Sequence, residues 1–229
     1  MPPSTHTPTP TPTTAVPAAD SLNPSFAARI VPIIVIDDAH GAPPLADALL
    51  GAGLTCVEVT LRTAAALPAL RILAGVPGLT VGAGTVLDPD QVDHSLDAGA
   101  RFVVSPGLDL DVVERCRQLG VSALPGVATP SEVLRARRYG LKAVKFFPAE
   151  QIGGLPALTS MAAAIPDMRF VPTGGIGPDD ARRYLTSPAV MAVGGTWIAP
   201  RDMLAAGDWE RVRERCELAA RIVAEAPAT

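Results

Sequence analysis

From Ser21 onward, short apolar runs alternate with longer stretches whose apolar residues recur every three or four positions. Compact β-branched runs fit strands, and the 3.6-residue recurrence fits amphipathic helices. The strands are expected at Ile30–Ile36, Thr55–Thr60, Leu79–Ala83, Phe102–Val104, Val121–Leu124, Leu141–Phe146, Arg169–Val171 and Val190–Val193. The helices that follow them are expected at Pro43–Ala52, Ala64–Ala74, Pro89–Ala98, Leu110–Leu119, Pro130–Tyr139, Leu155–Ala164, Pro178–Tyr184 and Asp208–Ala224. Asp88 and Thr129 stand where helix N-caps belong, and Pro130 fits a first helical position. Eight strands, each followed by a helix, predict an α/β fold of the (β/α)8 TIM-barrel type over residues 21–229. A doubly wound open sheet is the alternative, weakened because no Gly-x-Gly-x-x-Gly turn follows the first strand. Residues 1–20, with Thr7-Pro8-Thr9-Pro10-Thr11-Pro12, bury too little apolar surface to offset ordering and read as a disordered tail.

In a barrel, chemistry sits at the carboxyl ends of the strands. In Cys56-Val57-Glu58-Val59-Thr60-Leu61-Arg62 the two-residue period sets Glu58, Thr60 and Arg62 on one face and Val57, Val59 and Leu61 on the other. The apolar face suits the helix layer, which turns the polar face toward the barrel mouth. Glu58 and Arg62 could pair with each other there, or serve as a proton-transfer carboxylate and an anion-binding guanidinium. In the sixth strand Lys145 stands among Val144, Phe146 and Phe147. It could snorkel to water from an edge strand. Alternatively it is buried, where loss of solvation favours the free amine that attacks carbonyls. Lys142 has the opposite strand parity and reads as an exterior residue.

Other strand ends carry glycines and small polar groups. Gly82-Ala83-Gly84-Thr85 offers amides and a hydroxyl, and Ser105-Pro106-Gly107 could be a simple turn. Gly174-Gly175 and Gly194-Gly195 follow the last two strands, where barrels commonly cradle a phosphate on backbone N–H groups.

The formal charge of −4 and pI near 5.4 argue against nucleic-acid and membrane-surface partners. Cys56, Cys116 and Cys216 show neither metal-ligand nor disulfide spacing, and His6, His40 and His94 are scattered. No metal and no cofactor is expected. Neither a membrane-length apolar run nor a secretory signal is present, so a cytoplasmic location is expected.

Six motifs in order now carry a resemblance: Val57 to Thr63, Val81 to Val86, Ser105-Pro106-Gly107, Lys145 to Glu150, Pro172 to Ile176 and Gly194 to Trp197. The chain resembles the class I aldolases of 2-keto-3-deoxy-6-phosphogluconate (KDPG) and 4-hydroxy-2-oxoglutarate (KHG) over roughly Ile30 to Gly207. The resemblance implies that Lys145 is the Schiff-base lysine and Glu58 the general acid/base. It further implies that Arg62 and Thr85 hold the substrate carboxylate near Thr173, with Pro106 and Phe147 lining the pocket. Gly174, Gly175, Gly195 and Thr196 would hold the phosphate of a phosphorylated 2-keto acid. The family usually has serine where Thr196 stands, and threonine keeps the hydroxyl. A homotrimer is the assembly the resemblance suggests. An aldolase of the galactonate-derived epimer, a phosphate-binding isomerase or epimerase, and a non-catalytic binding barrel are the alternatives.

Overall fold

A computed structural model describes residues 29–227, so the Pro/Thr-rich tail expected at residues 1–20 lies outside the described residues. Strands β1 (Ile30–Ile34), β2 (Cys56–Thr60), β3 (Thr80–Gly84), β4 (Phe102–Val104) and β5 (Ser122–Leu124) are followed by β6 (Gly126–Val127), β7 (Ala143–Phe146), β8 (Arg169–Pro172) and β9 (Val193–Gly195). All their pairings are parallel, in the orders β5-β4-β3-β2-β1-β9 and β6-β7-β8. The segments β5 and β6 are one strand interrupted at Pro125, which has no N–H to give a ladder but accepts from the Lys145 N–H at 2.9 Å. Bridges Phe170↔Val190 and Thr173↔Gly194 join β8 to the β9 side. The result is an eight-stranded parallel barrel.

The helices are α1 (Ala42–Gly51), α2 (Ala66–Ala74), α3 (Pro89–Asp97), α4 (Leu110–Gln118), α5 (Pro130–Arg138), α6 (Gly154–Ala164), α7 (Pro178–Tyr184), α8 (Arg201–Ala206) and α9 (Trp209–Glu225). Asp88 caps α3 by accepting from the Gln91 N–H, and Thr129 with Glu132 forms a capping box on α5, with Pro130 in the first turn. The last strand is displaced from its expected place. Val190 only bridges, and the strand proper runs on through Gly194 and Gly195 because β1 registers Ile30 with Val193 and Pro32 with Gly195. Helix α8 has no counterpart in the expected elements, being six residues that end at left-handed Gly207.

Two apolar cores result. The larger packs the outer strand faces, including Val57, Val59, Val144 and Phe146, against the helices. The smaller fills the barrel interior with Val31, Cys56, Phe102, Val104, Leu124, Ala143, Val171 and Ala192. Strand alternation therefore places Glu58 above Cys56 and Lys145 above Ala143, on an apolar floor. Val144 and Phe146 thus face away from Lys145 and are not its surroundings.

Candidate active site

Strand β7 lies between β6 and β8, so Lys145 is not on an edge. Its side chain keeps 7% of its exposure and that of Glu58 only 4%. The Nζ donates to Glu58 Oε1 at 3.4 Å, longer than the about 2.7–2.9 Å of a tight charge-assisted bond. The same Nζ stands 5.2 Å from the centre of the Phe147 ring, within cation–π range. Isolated charges here would be costly, and each is the other's closest compensation. Glu58 pairs with Lys145, not with Arg62.

The room for this pair comes from β3. A β-carbon on Gly84 would stand 2.0 Å from Glu58 Oε1, and one on Gly82 would stand 2.1 Å from the Phe102 ring. Both residues avoid the left-handed region, so what they supply is space rather than unusual backbone geometry. Thr60 spends its hydroxyl on Ile34 O at 2.8 Å.

Arg62 lies two residues beyond β2, exposed at the mouth, and its Nε donates to Thr85 Oγ1 at 3.0 Å. Thr85 has φ of 58°, a region that costs a β-branched residue about 1–3 kcal/mol. The strained residue sets its hydroxyl against the Arg62 guanidinium. Arg62 also lines a cavity shared with Lys145.

A cavity of about 180 Å³ joins Lys145 and Arg62 to Phe147, Thr173, Gly174, Gly175 and Thr196. Ile33, Ile176 and Gly194 complete its wall; the sequence marks Gly194 as one of the candidate anion-binding glycines but assigns no site role to Ile33 or Ile176. Ile33 could have been found from its parity with the inward-facing Val31. Thr173 is buried at the end of β8, and a β-carbon on Gly194 would stand 2.4 Å from its Oγ1. Gly174 and Gly175 adopt φ of 103° and 76°, the left-handed conformation that glycine takes without cost.

Glu58, Pro106, Gly195 and Thr85 are not among the residues lining the cavity; Glu58 lies behind Lys145, which does line it. Pro106 is half-buried in a turn closed by Ser105 Oγ donating to Gly107 O at 2.8 Å, and its carbonyl presses on Gly126. Gly195 faces the Trp197 indole, 2.6 Å from where a β-carbon would stand. Among the described residues, no three His, Cys, Asp or Glu side chains converge as a metal site requires. The three thiols are buried and pushed up to about 12, chiefly by burial, so they are held protonated near neutrality.

What the arrangement offers is an amine and a carboxylate in contact on a dry floor, a guanidinium at one side, and a glycine turn at another. That set suits covalent attack on a keto acid that carries a second anionic group.

A family model described as KDPG and KHG aldolase matches residues 24–215. A 2-dehydro-3-deoxy-phosphogluconate aldolase of Zymomonas mobilis is 48% identical over 173 residues, 76% of this chain and 83% of its own length. The crystal structure of the Zymomonas mobilis KDPG aldolase with 3-phosphoglycerate superposes with a TM-score of 0.83 at 42% identity, covering 89% of this chain and 96% of that one. A KDPG aldolase from Legionella pneumophila, with pyruvate captured as a covalent carbinolamine, gives 0.82 at 38% identity, covering 85% and 96%.

Proposed function

The chain belongs to the KDPG and KHG aldolase family, and from that membership we propose that Lys145 is the amine through which it cleaves its substrate. The protein is a class I aldolase, a carbon–carbon lyase acting on a phosphorylated 2-keto acid. Its reaction is the reversible cleavage of KDPG to pyruvate and glyceraldehyde 3-phosphate, with cleavage of KHG to pyruvate and glyoxylate as the second activity. The observation that carries the reading is the buried Lys145–Glu58 contact, opening into a cavity shared by Arg62 and the Gly174–Gly175 turn.

The neutral amine of Lys145 attacks the C2 keto carbon, and Glu58, within reach of Nζ, moves the proton that forms the carbinolamine. Loss of water gives a protonated imine. The C3–C4 bond then breaks, its electron pair passing to C3 and the imine nitrogen to form an enamine, while Glu58 takes the proton from the C4 hydroxyl. The C4 fragment leaves as an aldehyde. Protonation at C3 restores the imine, and water hydrolyses it to pyruvate and free Lys145.

Arg62, steadied by Thr85, holds the substrate carboxylate, which sets C2 against Nζ. Phe147 and Thr173 wall the keto end. Gly174, Gly175 and Thr196 hold the phosphate by backbone N–H groups and the threonine hydroxyl, at the ends of the last two strands where barrels favour anions. The 3-phosphoglycerate in the Zymomonas mobilis relative supports a phosphate end of this kind.

No described helix is long and apolar enough to cross a membrane. We infer a homotrimer from the family likeness and a cytoplasmic location from the sequence, and sedimentation equilibrium at three subunit masses tests the assembly. The function itself is tested by incubation with pyruvate and sodium borohydride followed by peptide mapping, alongside separate cleavage assays on KDPG, its galactonate epimer and KHG. A reduced pyruvate adduct on the Lys145 peptide is expected. A folded protein that forms no adduct would instead be an isomerase or a binding barrel.

A further inference from the structure

Behind the Gly174–Gly175 turn lies a contact that the reaction above leaves unused. Tyr184, the last residue of α7 and buried, donates its hydroxyl to Glu150 Oε1 at 2.7 Å. Glu150 opens a 3-10 turn, Glu150–Ile152, that follows β7. The segment around it is stitched to the glycine turn: the Ala149 N–H donates to Thr173 O at 2.8 Å, and the Glu150 N–H to Gly174 O at 3.1 Å. A β-carbon on Gly175 would stand 3.0 Å from Glu150 Cβ and 3.3 Å from its Cγ. The glutamate side chain therefore runs directly along the back of the turn whose front faces the cavity. A carboxylate so placed is a hazard to an anion on the other side, unless it is held away.

We propose that Tyr184 is a positioning residue for the phosphate end of the site, acting through Glu150. This rests on the reading of the Gly174–Gly175 turn as that end. The phenol ties the carboxylate back toward α7, which fixes the turn and keeps the negative charge off the phosphate. Burial, and then the bond to Glu150, push the Tyr184 hydroxyl well above its ordinary value, so it remains a proton donor throughout the neutral range. Its neighbour Arg183 is engaged by Asp180, which also accepts from the Gly177 N–H at the start of α7. Tyr184 is thus the group that reaches Glu150 directly.

The test compares KDPG with 2-keto-3-deoxygluconate, the same carbon chain without phosphate, in wild type, Tyr184→Phe and Glu150→Gln. Tyr184→Phe is expected to raise the KM for KDPG about tenfold, the cost of a hydrogen bond to a charged group. It should leave kcat, and kcat/KM for the unphosphorylated acid, within about twofold, so the preference for phosphate falls by the KM factor. Glu150→Gln keeps an acceptor for the phenol without the charge and should retain the preference. Pyruvate–borohydride labelling of Tyr184→Phe should proceed at the wild-type rate. Equal losses on both acids, an unchanged preference, or failure to label would each overturn the proposal, since the tyrosine would then be a general packing residue or idle. Wild-type protein that cleaves neither acid would sink the aldolase reading itself, a separate outcome.

Discussion

Gly84→Ala is the smallest change that should disable the site. Its backbone accepts alanine, because Gly84 is extended and outside the left-handed region. The obstacle is the carboxylate of Glu58: the new methyl carbon would stand 2.0 Å from Oε1 and 2.6 Å from both Cδ and Cγ. Ordinary contact begins near 3.4 Å, so the carboxylate must retreat by about 1.4 Å. Oε1 is also the atom that Lys145 Nζ reaches at 3.4 Å, so a shift of this size misplaces the acceptor of a contact already at the edge of hydrogen-bond range. Misplacement by about 1 Å costs on the order of 100-fold in rate, which corresponds to about 2.7 kcal/mol of barrier. We expect kcat for KDPG cleavage to fall about 100-fold with KM little changed, because Arg62 and the glycine turn are untouched. The assay couples pyruvate release to lactate dehydrogenase, with circular dichroism to confirm folding. The decisive control is the double variant. If Gly84→Ala acts by displacing Glu58, it should add nothing to Glu58→Ala, since the displaced group is already gone. Wild-type kcat in Gly84→Ala, or additive losses in the double variant, would refute the reasoning.

Lys145→Ala should abolish turnover and borohydride labelling while the far-UV circular dichroism stays native; retained cleavage would remove the lysine from the mechanism. Arg62→Leu should raise the KM for KDPG by about 10–100-fold, the value of a charged hydrogen-bonded contact, and Arg62→Lys should recover only part of it because the fork to Thr85 and the ligand is lost. The three buried thiols should resist iodoacetamide in native protein at pH 8 and react after denaturation, as read by mass spectrometry. Their folded values near 12 exceed the ordinary 9.0. Below pH 9 the thiols are protonated in both states and contribute no pH dependence. Between about pH 9 and 12 only the unfolded chain ionises, so urea midpoints should fall as pH rises across that window.

Much of the site was legible because strand alternation is a local rule. The two-residue period separates Glu58 from Val57 and Val59; the same parity takes Lys145 off the face of Val144 and Phe146, against the sequence reading that set it among them. Capping chemistry is local too, which is why Asp88 and Thr129 mark helix starts correctly. What alternation cannot supply is which neighbour a residue meets across the barrel. The partner of Glu58 is 87 positions away on β7, not Arg62 four positions along its own segment. The displaced last strand has the same origin, since β1 decides where β9 begins.

The glycines make the distinction sharpest. From sequence, those at the carboxyl ends of β3, β8 and β9 all look like sources of backbone amides. In the fold they divide into two physical kinds. Gly174 and Gly175 are glycine because their φ is positive, so any side chain there strains the backbone whatever surrounds it. Gly82, Gly84 and Gly194 are glycine because Phe102, Glu58 and Thr173 already occupy the space a β-carbon would need. The second kind is conditional, and shortening the neighbour should restore tolerance, whereas no neighbouring change can do so for the first. The barrel thus accommodates Glu58 by leaving a gap beside it, and forms its glycine turn by the shape of the chain itself.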